Sequence, residues 1–432
     1  MKRVNLILTL ALALVLTCAL FACGKAEKTP GTPVSAYISK GTYTDLDEEK
    51  LSWEGINELP TKRSDMTPQE ARETVIAFWR YCKTALWIPD AQYDIYKEEG
   101  DQTVWKRAVE QGKVYAGLPY VSKATGNIYR LMDFMDPETG VVNVTEAGKY
   151  PLIFGGMCSS GCYWAWARVM NSADYLWCAD SVISRGYLRV GPYTYDDSWT
   201  QFIAEGIQGT DDVCRENGQQ VMYQSYAAME VGDGGISLWE KNGHTNMCSV
   251  APTVVYNDDG TINGDESWLC IIEQGGIWEE AVSQAGIPYT YERSVERKFT
   301  FKQFYEGAYC PFTFGELIGT DPIEETEISF SYSGETITEK QIFSAKVTSN
   351  YAISDVYVYV YDDTGTEVYK HATRARRPST WELQIHKRVG HSYTWGSWDN
   401  LDPKGEYTVK IEAQLGTGER PTVYEGKLAF ES

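Results

Sequence analysis

The chain has 432 residues, with 60 acidic against 39 basic side chains and a formal net charge of −21. An excess of negative charge on this scale repels phosphate backbones, and no Lys/Arg cluster interleaves with aromatics, so nucleic-acid binding is excluded. The composition is that of a globular protein, and the length exceeds what one compact core holds, which predicts two domains with linkers.

In chain order, Lys2 and Arg3 precede an apolar run from Val4 to Ala22 that ends in Leu20-Phe21-Ala22-Cys23-Gly24. A basic start, an apolar stretch and small residues at its end predict a secretory signal peptide over residues 1–22. The ending resembles a bacterial lipobox. That resemblance implies a diacylglyceryl thioether on Cys23, a membrane as partner through the N-terminal lipid, and an extracytoplasmic location, since two acyl chains hold a protein where one is marginal. Residues 23–45 are read as the lipidated cysteine and a flexible tether, polar and proline-spaced between Gly24 and Val34.

The next region spans residues 46–320. Thr67 as N-cap, Pro68 at the first helical position and Glu70 closing a capping box predict a helix running to about Leu86. Ala71, Val75, Phe78, Trp79, Cys82 and Leu86 recur at helical spacing and mark its core face. Short strand and turn pieces follow from Thr103 to Val144, with a tight turn at Asp136–Gly140.

Gly155-Gly156-Met157-Cys158-Ser159-Ser160-Gly161-Cys162-Tyr163-Trp164-Ala165-Trp166 sets a cysteine among small residues ahead of an aromatic helical run. A thiol of ordinary pKa is mostly protonated at neutral pH, so as a nucleophile it needs an imidazole to hold its proton and free backbone N–H groups to face the oxyanion. Cys158 follows the two glycines, where a helix begins, so its sulfur meets the positive end of the dipole. Cys162, one turn later, sits among N–H groups committed to the helix and is predicted to pack as core, as are Trp164 and Trp166. Of the four histidines, His244 alone lies in a strand-like context in the first three quarters of the chain. The turn Asn257–Gly260 returns the chain through Ser267–Ile272 to Glu273-Gln274. Glu273 is the preferred residue to orient the imidazole and Gln274 the alternative, because adjacent strand residues face opposite ways and register is open. Cysteine, histidine, then acid or amide is the papain-type order.

These anchors together resemble the NlpC-type and CHAP-type papain-like cell-wall cysteine peptidases. The matching segments are Gly117-Leu118-Pro119-Tyr120, Cys158-Ser159-Ser160-Gly161, Gly232-Asp233, Gly243-His244 and Glu273-Gln274, covering about residues 110–275. Met157 stands where the NlpC motif usually has Asp, an extra serine precedes Gly161, and the long stretch before His244 points to an insert at Tyr187–Asn217. The resemblance implies an α+β papain-like cysteine hydrolase with catalytic Cys158, His244 and Glu273, no cofactor, and peptidoglycan or a peptide as substrate. Endopeptidase, amidase and amide-forming transferase activities stay open.

Cys82, Cys248, Cys270 and Cys310 sit in apolar patterns and are predicted core residues. With few histidines and no second Cys pair at zinc-finger spacing, no metal site is expected. The composition changes at Gly319-Thr320-Asp321-Pro322. Beyond it, Asp355–Tyr361 alternates with period two, Asp363-Thr364-Gly365 turns the chain, and Tyr407–Ile411 repeats the pattern. An all-β immunoglobulin-like sandwich is expected over residues 323–432, with His371, His386 and His391 as ordinary packing or surface residues. The alternative to a hydrolase is a non-catalytic surface lipoprotein that uses the same scaffold and sandwich for binding. No pattern bears on the oligomeric state.

Overall fold

A computed structural model describes residues 42–43, 59–84, 86–99, 102–120, 126–136, 139–147, 155–171, 187–200, 202, 209–239, 242–282, 288–379, 382–388 and 392–430. The expected signal peptide, Cys23, nearly all of the tether and His391 lie outside the described residues. The architecture is mixed α+β, mostly sheet with few helices.

Helix α1 (Pro68–Thr84) starts where the capping box predicts. The Thr67 N–H and hydroxyl both donate to the Glu70 carboxylate, at 2.8 and 2.9 Å, and the Glu70 N–H returns to the Thr67 hydroxyl at 3.3 Å. Ala71, Val75, Phe78, Trp79 and Cys82 are all buried. The helix stops two residues short of the expected Leu86, because Leu86 opens a strand of its own, Leu86–Pro89.

An antiparallel meander forms the middle of a ten-stranded sheet: β1 (Gly234–Trp239), β2 (Asn242–Thr253), β3 (Trp268–Val282) and β4 (Pro288–Thr300). Strand Tyr115–Ala116 continues it beyond β4, and Cys310–Thr313 beyond β1. The β2–β3 connection uses the predicted turn, with the Gly260 N–H donating to the Asn257 carbonyl at 2.9 Å. Gly260 has φ +82°, a conformation that a side chain resists. Helix α2 (Cys158–Trp166) lies on one face of this sheet, against β2, β3 and α1. Trp164 and Trp166 are core residues, and the Trp166 indole donates to the Gly232 carbonyl at 2.8 Å. The neighbouring Asp233 carboxylate accepts from Arg72 of α1 at 2.8 Å. The Gly232-Asp233 pair therefore fastens both helices to the entry of β1.

The short helix Gly315–Ile318 ends at Gly319, whose φ of +76° is the left-handed cap that favours glycine. From Ile328 on, the chain forms a three-stranded and a six-stranded sheet that share a core. Strand β5 (Ile353–Tyr361) has the predicted alternation, yet it is buried on both faces. Val356, Val358 and Val360 point into the C-terminal core, while Tyr357 and Tyr359 belong to the core of the α+β body. Its period of two separates two interiors instead of core from solvent. A buried ionic cluster joins the parts: Arg130 contacts Asp355 at 3.2 Å, and Arg374 bridges Asp355 and Asp133. All the described residues belong to one compact unit. None of the described helices is long and apolar enough to cross a membrane.

Candidate functional site

Cys158 is the first residue of α2, preceded by Met157 in extended conformation. Two devices hold this start. The Ser160 hydroxyl accepts from the Met157 N–H at 2.7 Å, so the serine one turn in reaches back over the helix entry. The Gly156 N–H donates to the Pro119 carbonyl at 3.0 Å, and Tyr120 bridges to Gly156, so Gly117–Tyr120 runs alongside the approach to the cysteine. Gly117 has φ +76°, and a Cβ there would meet the Lys83 carbonyl oxygen at 2.7 Å, which reserves the position for glycine.

His244 lies on β2, cross-strand from Ser237 of β1. Its Nε2 is 2.6 Å from Glu273 Oε2 on β3. The β2–β3 register pairs Ile272 with Met247, so its continuation sets Glu273 opposite Asn246, on the face that Asn246 shares with His244. The acid reaches the imidazole as a diagonal cross-strand neighbour. The Cys158 side chain lies close enough to the same imidazole to act on its pKa, by hydrogen bonding and by charge. With Nε2 held by the carboxylate, Nδ1 is the ring nitrogen left for a second partner. Cys158, His244 and Glu273 thus form one connected line.

Gln274 points elsewhere. Its amide donates to the Leu118 carbonyl at 2.8 Å, and a Cβ on Gly161 would approach its side chain at 3.4 Å. It pins the Gly117–Tyr120 segment beside α2. Cys162 is fully buried. Burial first, then the nearby Cys158 and Glu273, push its thiol pKa well above the ordinary value.

Arg297 was not foreseen. It sits on β4 opposite Ile271, hence on the same face as Glu273, and its Nε is 3.3 Å from Glu273 Oε1. Arg297, Glu273 and His244 are 1 %, 3 % and 2 % exposed, and Cys158 is 7 % exposed. A carboxylate this deep is costly without a counter-charge. Arg297 supplies one, so an added thiolate–imidazolium pair leaves the whole line neutral. Burial opposes a charged His244, but the charge of Glu273, with hydrogen bonding to Cys158 and to the Glu273 carboxylate, pushes the imidazole pKa up to about 10. Tyr309 walls the site, its ring edge-on to His244 with centroids 6.5 Å apart and stacked on Phe304. No local signal distinguishes Arg297 or Tyr309 in the sequence, since both enter through pairing of distant segments.

The remaining described cysteines, Cys82, Cys214, Cys248, Cys270 and Cys310, are buried. His371 is buried in the C-terminal sheets, bonded to Thr394 Oγ at 2.9 Å and to the His386 carbonyl at 3.0 Å. Burial pushes its pKa down to about 4, as expected of a neutral packing histidine. Among the described residues, no cluster of His, Cys, Asp and Glu is arranged to hold a metal ion. No family model, no curated protein and no solved structure matches this chain.

Proposed function

We propose that the chain is a cysteine hydrolase of papain-like fold that cleaves an amide bond, with peptidoglycan stem peptides as substrate class. The observation that carries this reading is the position of His244, 2.6 Å through Nε2 from Glu273 and within reach of Cys158 at a helix start. In this mechanism the imidazole takes the Cys158 proton and the thiolate attacks the scissile carbonyl carbon. Backbone N–H groups in the first turn of α2, which have no intrahelical acceptor, hold the oxyanion. The imidazolium then protonates the leaving amine as the C–N bond breaks and a thioester remains. Water, deprotonated by the same imidazole, releases the acid and returns the thiol. Glu273 fixes the ring orientation throughout, and Arg297 holds Glu273.

The reading extends to an immunoglobulin-like C-terminal module and to a lipid anchor at Cys23 on an extracytoplasmic membrane face. The test is incubation of the full-length chain in detergent with purified peptidoglycan, followed by mass analysis of released fragments. Release of peptide-bearing fragments by the wild type and none by Cys158→Ala is expected. Equal release by both, or none by a wild type whose Cys158 alkylates no faster than a free thiol, overturns the proposal.

A further inference from the structure

Among the described residues, the buried arginines follow a rule with one exception. Arg72, Arg130, Arg297 and Arg374 each meet a carboxylate: Asp233, Asp355, Glu273, and the Asp133 and Asp355 pair. Arg168, just past the C-terminal end of α2, is 1 % exposed, and its partners among the described residues are all uncharged. Nη1 donates to the Tyr129 hydroxyl at 2.8 Å, Nη2 donates to the Pro60 carbonyl at 2.6 Å, and the guanidinium lies 5.0 Å over the Phe78 ring. Nε has no acceptor. A guanidinium stays charged at any ordinary pH, and taking it out of water without an anion is expensive. The negative end of α2 offsets only a fraction of that charge.

Arg168 forms part of the wall of a pocket of about 340 Å³ between the α+β body and the C-terminal sheets. Arg420 stands at its exposed mouth, stacked 3.9 Å over Tyr357, with Glu412 at 2.9 Å. Gln414 and Tyr129 supply further polar groups. The acid on this wall, Asp133, is already taken: Arg374 and the hydroxyls of Tyr357 and Tyr393 bond its Oδ2, and Lys370 lies 3.6 Å from Oδ1. Glu419, on the same hairpin as Gly418, is engaged by Thr326, Thr417 and Lys62. Gly418 has φ +95°, and a Cβ there would land on Arg168 Nη1, so this glycine lets the hairpin tip close over the guanidinium.

We propose that this pocket binds a small organic carboxylate, its carboxylate group paired with Arg168 in the depth and Arg420 at the mouth. The volume is roughly ten times one water's share of the liquid, which suits an organic acid of several heavy atoms better than a bare inorganic ion. The tyrosine rings and Met132 would cover its carbon skeleton. The site lies at the opposite end of α2 from Cys158 and does not depend on the hydrolase reading.

The test is calorimetric titration of the full-length chain in detergent with acetate, succinate and citrate, and separately with inorganic phosphate and chloride. At least one carboxylate should saturate a single site per chain. Its affinity should fall at least tenfold in Arg168→Gln and several-fold in Arg420→Gln, with Cys158 labelling unchanged in Arg420→Gln. Because Arg168→Gln removes a packed side chain, the exposed Arg420 decides the matter if that variant does not fold. No saturable binding of any carboxylate, saturation by phosphate or chloride alone, or an affinity unmoved by Arg420→Gln overturns the proposal.

Discussion

Two of the buried ionic lines among the described residues differ in what stands at the end. In the α+β body, Arg297, Glu273 and His244 lead to a thiol. At the junction with the C-terminal sheets, Arg130, Asp355, Arg374 and Asp133 lead to one another, to Lys370, to tyrosine and serine hydroxyls and to backbone carbonyls. Both lines solve the same problem, that a buried charge must be matched. Only the first ends in groups able to exchange a proton at moderate pH, so only the first is suited to chemistry. The second holds two cores together.

The largest effect expected from breaking this contrast lies at the thiol. Fast iodoacetamide labelling at mildly acidic pH should drop by on the order of 10³-fold or more in Cys158→Ala and persist in Cys162→Ala. Loss in Cys162→Ala with retention in Cys158→Ala would move the nucleophile one turn along the helix. At the junction, Asp355→Asn leaves buried Arg130 without a carboxylate and Arg374 with Asp133 alone, and should cost about 3–5 kcal/mol of stability, read from urea unfolding, while leaving labelling of the folded fraction intact. A cost below about 1 kcal/mol would show that the cluster is not the staple described.

Glu273→Gln should slow alkylation at mildly acidic pH by about 10²-fold and shift the basic limb of the pH profile downward, because the charge that raises His244 is gone. The same pair has a stability signature. A group whose folded pKa is raised contributes stability fully below its unfolded value, about 6.5 for histidine, and loses it as pH rises through the folded value. Wild-type urea midpoints should therefore decline as pH rises from neutral towards about 10, and Glu273→Gln should flatten that decline. A decline of equal depth in the variant would assign it to other groups. The smallest effect belongs to Gln274→Ala, which loses one bond to Leu118, about 1 kcal/mol, with the labelling profile of Cys158 keeping its shape.

Features that depend on a few neighbouring residues were legible along the chain. The capping box at Thr67, the helix start at Cys158 after two glycines, the turn at Asn257–Gly260 and the alternation of Asp355–Tyr361 all follow from local sterics, caps and side-chain period. The choice between Glu273 and Gln274 was not legible. It hangs on the β2–β3 register, and one residue of slip exchanges their faces. Arg297 joined the site only because a third strand pairs with the second, at a separation no local pattern encodes. Strand β5 gave the right period but not its meaning, since whether a tyrosine face meets solvent or a second core depends on what packs against it. Sequence determined the elements and the chemistry available at each position. Tertiary structure decided which distant side chains share a buried face, because that is where desolvation forces every charge to find its partner.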